Sequence, residues 1–177
     1  MYELSPLGIA LTDMQGRYVE FNEAFRAICG YSAEALKALD YWKLTPEKYR
    51  SEEALQLECL ERTGRYGPYE KEYIRQDGSR VPLRLNGMLL TRHDGEKYIW
   101  SIVEDITVQR LNQERMEHLL AEQKAILENR LVGIVTVRER CIVWANPAFE
   151  EMLGYEPGSW PGRRPVEIIR TRKAIWP

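Results

Sequence analysis

The chain is poor in the residues that build metal sites and disulfide frameworks. It contains only two histidines, His93 and His118, and three cysteines, which lie far apart at Cys29, Cys59 and Cys141. Two histidines cannot form a multi-histidine metal site, and no Cys-x-x-Cys pair is present to bind zinc, so we predict no metal ligands. An odd number of widely spaced cysteines argues against a disulfide framework and favours a reducing, cytoplasmic location.

Signatures of several other protein classes are also missing. The apolar runs are strand-sized, far below the ~20 residues of a membrane helix, and no apolar leader follows Met1, so we expect neither insertion nor secretion. The net charge of −2 supplies no basic surface, and we expect no nucleic-acid partner. The chain has no glycine-rich nucleotide loop and no Gly-x-Ser-x-Gly elbow. We therefore expect no catalytic residues and no enzyme activity.

Short β-prone runs open the chain and return in its middle. Residues 8–13 and 18–21 suit an antiparallel hairpin, and a helical pattern over residues 51–63 places three side chains on one face: Leu55, Cys59 and Leu60. Three further runs share the β-prone composition: residues 69–75, 80–90 and 97–103. Both connections between them contain Asp-Gly, a strong hairpin signal. These elements predict an α+β fold with an antiparallel sheet.

One block of the sequence occurs twice. Asn, Ala, Phe, Gly and Tyr stand at positions 22, 24, 25, 30 and 31 and again at 146, 148, 149, 154 and 155, a constant offset of 146 − 22 = 124. A similar pair of strand-like runs precedes each block. Such a match indicates an internal duplication. The shared residues have structural roles: Asn caps a helix, Ala and Phe pack it on the sheet, and Gly ends it in a left-handed turn.

A long helix is predicted between the two copies. Residues 107–129 contain neither Gly nor Pro, and as a helix they span roughly 34 Å at 1.5 Å per residue. Two apolar stripes at the spacing of a helical seam compete on it: Met116-Leu119-Gln123-Ile126 and Met116-Leu120-Gln123-Leu127. Both stripes are short and include polar positions, so a dimeric coiled coil and a solvated connector helix packed on its own domain are both compatible with the sequence.

The repeated block, the strand order and the charged helix together resemble the PAS family of sensory domains. Within the matching residues 5–107, the segment from Tyr69 to Pro82 is similar to the family's hairpin between its third and fourth strands. Asp105-Ile106-Thr107 resembles the motif at which such domains pass from their last strand into an output helix. The resemblance implies three regions: a complete PAS domain at 5–106, a linker or signalling helix at 107–130, and the truncated N-terminal part of a second PAS domain at 131–177.

The resemblance also implies the architecture and the role. Such a domain is an α+β PAS fold, with a five-stranded antiparallel sheet, short helices on one face and a long C-terminal signalling helix. Family members hold a cavity that often binds a small molecule, usually form homodimers, and precede an output domain such as a histidine kinase or a GGDEF-type diguanylate cyclase. We expect a bacterial sensory module that relays a cytoplasmic signal through Asp105, Ile106 and Thr107. The alternative is a PAS-like dimerisation or protein-interaction module without a ligand.

The nature of the ligand stays open at this point. The histidines and cysteines lack the contexts that haem-binding and flavin-binding relatives use, so we expect neither haem nor covalent flavin, and either no cofactor or a small organic ligand. The candidate cavity residues are Trp42, Tyr49, Cys59, Tyr73, Leu85, Asn86 and Trp100. Asn86 on a buried strand would need a hydrogen-bond partner, which a ligand can supply. The aromatic candidates are also compatible with an ordinary core.

The second copy lacks the three later strands and cannot close its sheet alone. We therefore expect disorder beyond about Val132, with pairing of its hairpin to another chain as the alternative.

Overall fold

The structure is a computed structural model and describes residues 4–93, 95–129, 131–154 and 156 of the chain. The described residues fall into two units that divide between Asn112 and Gln113. The division lies inside the helix that was predicted to link the two copies.

The first unit is built on an antiparallel sheet of five strands in the spatial order β2-β1-β5-β4-β3. The strands are β1 Gly8–Asp13, β2 Tyr18–Phe21, β3 Arg65–Ile74, β4 Arg80–Thr91 and β5 Lys97–Asp105. Four helices and a 3-10 turn lie between β2 and β3: α1 Glu23–Cys29, α2 Ala33–Lys37, α3 Tyr41–Leu44, the turn Glu47–Tyr49, and α4 Arg50–Thr63. The long helix α5, Thr107–Leu127, follows β5.

The core lies on one face of this sheet. Strand residues such as Ala10, Leu83 and Val103 pack against helix residues such as Phe25 and Leu36. Because side chains alternate between the two faces of a strand, the opposite face carries the intervening residues. The α+β class and the five-stranded antiparallel sheet with helices on one face are thus confirmed.

Strand β3 begins at Arg65, four residues before the predicted start at Tyr69. The pairing with β4 shifts between Tyr66 and Tyr69, where Gly67 adopts φ +73° and a Cβ atom would lie 2.3 Å from the carbonyl oxygen of Leu85. Only glycine fits this close approach. Gly67 and Pro68 suggest a loop in the sequence, but in the structure they form an irregularity inside a continuing strand.

Helix α4 buries a different face from the predicted one. Leu60 is buried as expected, but Leu55 is 62% exposed and Cys59 is half-buried. Glu53 is buried instead, seven residues before Leu60. The inward face therefore includes an acidic side chain, which the apolar pattern alone could not identify.

Asn22 joins the start of β1 to the start of α1. Its side-chain oxygen accepts hydrogen bonds from the backbone N–H groups of Ile9, at 2.8 Å, and Phe25, at 3.0 Å. Its amide group donates to the carbonyl of Leu7 at 2.9 Å. The residue is fully buried. The predicted helix cap is therefore confirmed, and the same side chain also fixes the neighbouring strand.

The second unit repeats this arrangement in residues where we expected disorder. It contains β6 Val135–Arg138, β7 Cys141–Ala145 and α6 Pro147–Leu153. The side chain of Asn146 accepts from the N–H groups of Ile134 and Phe149 at 2.7 and 3.1 Å and donates to the carbonyl of Val132 at 2.8 Å. These hydrogen bonds stabilise the hairpin and the helix through neighbouring residues alone. Tyr155 and the segment 167–169, which belonged to the predicted second copy, lie outside the described residues.

Replacement of Asn22 by Ala should destabilise the first unit by about 2–3 kcal/mol, because it removes the cap and leaves buried backbone groups unpaired. Hydrogen–deuterium exchange of the whole chain, read by mass spectrometry, should show faster exchange in residues 5–29. Asn146→Ala is the matched control and should accelerate exchange only in residues 131–154. Unchanged exchange of residues 5–29 in Asn22→Ala would contradict the assigned role.

Candidate functional site

A cavity of about 30 Å³ lies between the sheet and the helices of the first unit. Its apolar wall includes Phe25, Leu60 and Val103. Its polar lining comes from β1, β2, β3, β5 and α4 and includes Thr12, Tyr18, Glu53, Gln56, Tyr66 and Ser101. This lining has the composition of a small-molecule site, but the volume is well below the roughly 300–1,000 Å³ that is usual for drug-sized ligands.

The most unusual feature beside this cavity is a buried ion pair. The ammonium group of Lys71 on β3 lies 2.6 Å from the carboxylate of Glu53 on α4, and the side chains of these residues are 1% and 9% exposed. Lys71 also donates to the hydroxyl of Thr45 at 3.1 Å, and the hydroxyl of Tyr69 donates to Glu53 at 2.6 Å. Burial lowers the pKa of Lys71, and the charge of Glu53 acts in the opposite direction. The pair ties α4 to β3.

Tyrosines surround the ion pair and form much of the polar wall. The ammonium group of Lys71 lies 4.8 Å from the ring centre of Tyr73 and 5.6 Å from that of Tyr69, within the range of cation–π attraction. Burial raises the pKa of Tyr69 and Tyr73 well above the ordinary tyrosine value, and the negative charge of Glu53 raises both further. These hydroxyls therefore stay protonated and act as hydrogen-bond donors.

Tyr66 reaches across β4 to the strand beyond it. Its hydroxyl donates to the hydroxyl of Ser101 on β5 at 2.7 Å. The ring passes over Gly87, where a Cβ atom would lie 2.5 Å from it. The absence of a side chain at Gly87 thus allows Tyr66 to lie along the cavity.

Tyr18 brings a buried hydroxyl group to the cavity, where it interacts with the hydroxyl of Tyr73. The residue is 5% exposed, and its hydroxyl lacks a hydrogen bond of normal geometry among the described residues. Buried hydroxyl groups normally have a partner, since leaving one unpaired costs free energy. The hydroxyl is therefore available to a molecule that enters the cavity.

The predicted site residues are only partly brought together. Tyr73 and Leu85 line the cavity. Trp42 is half-buried at the edge of the core, with its ring centre 4.9 Å from that of Tyr41. Tyr49 is half-buried in the 3-10 turn before α4, under the ammonium group of Lys48. Cys59 is also half-buried and contacts Thr63 on its own helix.

The expectation that Asn86 is buried was wrong, and Trp100 lies on the same outer face of the sheet. Leu85 points to the core, so Asn86, the next residue of β4, points away and is exposed. On β5 the residues that line the cavity are Ile99 and Ser101, which leaves Trp100 on the opposite face. The alternation of side chains along a strand is the physical reason for both placements.

The junction between β5 and α5 forms a second cluster. One carboxylate oxygen of Asp105 accepts from the backbone N–H of Thr107 at 2.9 Å, and the other lies 3.3 Å from the guanidinium group of Arg75. Arg75 also donates to the carbonyl of Ile28 at the end of α1, at 2.9 Å. Ile106 is 1% exposed, and its N–H donates to the carbonyl of Pro82. The start of α5 is thus held by α1, β3 and β4.

Comparisons with known proteins place these features in context. Two family profiles, each described as a PAS domain, match residues 6–108 and residues 121–175. The sensor histidine kinase TmoS of Ectopseudomonas mendocina is 28% identical over 178 aligned positions, which cover 99% of this chain and 18% of the kinase. The probable diguanylate cyclase DgcE of Escherichia coli (strain K12) is 30% identical over 130 positions, which cover 70% of this chain and 12% of the cyclase.

A solved structure agrees with the fold. The crystal structure of a PAS domain from Colwellia psychrerythraea matches with a TM-score of 0.55 and 18% identity, covering 60% of this chain and 91% of that domain.

The chain spans less than a fifth of the length of either curated relative. Among the helices that the structure describes, none is both long enough and apolar enough to cross a membrane.

Loss of one partner of the buried ion pair should destabilise the first unit more than loss of a surface pair. Lys71→Met leaves the carboxylate of Glu53 buried without a counter-charge, and we expect a loss of about 3 kcal/mol in urea unfolding followed by near-ultraviolet circular dichroism. The double variant Lys71→Met/Glu53→Leu should regain most of this loss.

Lys48→Met is the matched control, since the ammonium group of Lys48 pairs with Glu72 at 2.9 Å but is 53% exposed. We expect a change below about 1 kcal/mol for this variant. Equal losses for Lys71→Met and for the double variant would show that the two buried charges are not coupled.

Proposed function

The chain belongs to the PAS domain family, and from this premise we propose that its first unit senses a small molecule or another cytoplasmic signal. In this proposal the cavity receives the signal, and α5 relays it to an output domain of a bacterial signal-transduction protein. The single observation that carries the proposal is the cavity. Tyr18 and Glu53 line it and place polar groups inside an otherwise apolar core.

The junction of β5 and α5 supports the relay. Asp105, Ile106 and Thr107 are the proposed relay residues, because the carboxylate of Asp105 caps the first turn of α5 through Thr107. Ile106 anchors the same turn in the interior of the unit. Val103, two residues before Asp105 on the same strand, lines the cavity. A shift of β5 at the cavity would therefore reach the start of α5 within two residues.

A second attachment supports the same proposal. Arg110, one turn into α5, lies 2.9 Å from the carboxylate of Glu70 on β3. Glu70 stands between Tyr69 and Lys71, both of which contact Glu53 on the opposite face of the strand. The helix start is thus connected to two strands that border the cavity.

The curated relatives support the proposed output domain. One is a histidine kinase and the other a probable diguanylate cyclase, and in both the matching segment is a small part of a longer protein. We propose an output domain of one of these two types downstream in the parent chain.

A ligand-free dimerisation or protein-interaction module is the second candidate. The described part of α5 has no buried residue, and several of its apolar side chains are exposed: Val108, Leu111, Met116, Leu119, Leu120, Ile126 and Leu127. A second copy of the same helix would cover them in a coiled coil. This observation supports a homodimer, with or without a ligand in the cavity.

Native mass spectrometry of the purified chain, followed by solvent extraction, should distinguish the two candidates. Sensing predicts a small molecule that remains with the chain under native conditions and is released on denaturation. Leu57→Trp, which places a large side chain at the cavity wall, should abolish this retention. A chain that carries no small molecule from any cell lysate but forms a stable dimer would favour the interaction module.

The relay can be tested in a fusion that joins residues 1–129 in helical register to the kinase domain of a sensor histidine kinase. Asp105→Ala should reduce the change in autophosphorylation that a ligand produces, because the first turn of α5 loses its cap. Asp13→Ala is the matched control: Asp13 accepts from the N–H of Gln15 at 2.9 Å in the turn between β1 and β2, and it pairs with Tyr98 at the end of β5 remote from Asp105. An equal ligand response in both variants would rule out the relay through Asp105.

A further inference from the structure

The chemistry of the cavity wall restricts the class of ligand. We propose that the cavity selects a small neutral molecule with hydroxyl groups, which donates a hydrogen bond to Glu53 and forms another with Tyr18. The inference rests on the proposed sensing function and adds to it the chemical class of the signal.

Glu53 retains an unused hydrogen-bond acceptor. Both bonds that it receives, from Tyr69 and Lys71, end on the same carboxylate oxygen, Oε2. The other oxygen, Oε1, accepts no hydrogen bond from any described residue. A carboxylate oxygen has two lone pairs and can only accept, so a molecule that binds here must donate. The ligand therefore carries an O–H or N–H group.

Tyr18 supplies the second contact. Its buried hydroxyl has no hydrogen bond of normal geometry in the described part of the chain and belongs to the cavity wall. A hydroxyl both donates and accepts, so it pairs well with another hydroxyl group. A ligand with two hydroxyl groups would satisfy Tyr18 and Glu53 together.

The charges beside the cavity disfavour ionised ligands. Glu53 and Lys71 form a pair without net charge. A cationic ligand would lie near the ammonium group of Lys71, and an anionic ligand would lie near the carboxylate of Glu53. Either ion would also lose its hydration without gaining an unpaired counter-charge, which is costly in a buried site. The remaining polar lining groups are uncharged: they are hydroxyls, such as those of Thr12 and Ser101, and the amide of Gln56.

The size of the cavity restricts the ligand further. Its volume of about 30 Å³ compares with the roughly 10–15 Å³ that one water molecule needs on the same measure, so it holds about two hydroxyl oxygens. Apolar side chains such as Leu85 and Ile99 complete the wall and suit a short carbon bridge. Two-carbon alcohols and diols, with three or four non-hydrogen atoms, already slightly exceed two water-sized groups, so we expect no larger molecule to bind.

Four probes of nearly equal size test the inference: ethane-1,2-diol, ethanol, ethylammonium and acetate. Each is titrated into the whole chain at constant ionic strength, and binding is followed by the NMR shifts of cavity-lining residues. For molecules this small we expect dissociation constants of about millimolar or weaker. The diol should bind about five-fold more tightly than ethanol, the usual value of one hydrogen bond, and neither ion should bind.

Tyr18→Phe removes only the hydroxyl group and should make the diol and ethanol bind equally. Tyr31→Phe, at a half-buried tyrosine outside the cavity wall, is the matched control and should keep the preference for the diol. Because the hydroxyl of Tyr18 has no hydrogen bond of normal geometry to lose among the described residues, the variant should fold normally.

Three results would overturn the inference: binding of ethylammonium or acetate as tight as that of the diol, a diol preference that persists in Tyr18→Phe, or no binding of any probe. None of them would by itself remove the proposed sensing function, which the extraction experiment tests separately. A co-purifying molecule of another class would leave sensing intact and show that the hydroxyl assignment is wrong.

Discussion

The buried contact between Lys71 and Glu53 constrains the whole first unit. Removing two charges from water is costly, and the cost is offset only while the two charges remain together and their other hydrogen-bonding groups are satisfied. Thr45 and Tyr69 provide those further bonds. Helix α4 must therefore keep its position over β3. The same requirement places polar atoms at one end of the cavity, where apolar side chains would otherwise close the core.

Much of the fold could be predicted because local signals agree with the global arrangement. Asn22 and Asn146 begin their helices as expected, since a helix cap depends mainly on neighbouring backbone groups. The start of β3 was placed too late because Gly67 and Pro68 are typical of loops, and only the partner strand keeps the chain extended there. The hydrogen bonds of Asn146 likewise explain why a hairpin and a helix form where we expected disorder.

The site was harder to predict because the alternation of side chains along a strand does not show which face of the sheet the helices cover. Alternation correctly separates Leu85 from Asn86, but which of them meets the helices depends on tertiary packing. Lys71 was missed because it stands between two glutamates and resembles a solvated position. A usable signal existed: Lys71 alternates with Tyr69 and Tyr73, so all three share one face of β3.

The sequence also contained a weaker indication that Glu53 faces the core, in the spacing of its neighbours on the helix. Glu53 precedes Gln56, Leu57 and Leu60 at spacings of three, four and seven residues, which define one face of a helix, and all four residues line the cavity. An apolar pattern cannot reveal an acidic member of such a face. Only the partner on β3 explains why the carboxylate is buried.

The contacts on the two faces of β3 differ in strength. Breaking the buried contact of Lys71 costs about 3–5 kcal/mol, so this contact maintains the fold. Glu70, between the two inward residues, pairs with Arg110 on α5 at a position where both side chains are about 40% exposed. Exposed pairs of this kind contribute roughly 0–1 kcal/mol. Because a strand moves as one unit over three residues, a small shift at Lys71 also moves Glu70. In the proposed relay, the weak pair is therefore the contact that a small change in the cavity would alter while the fold remains intact.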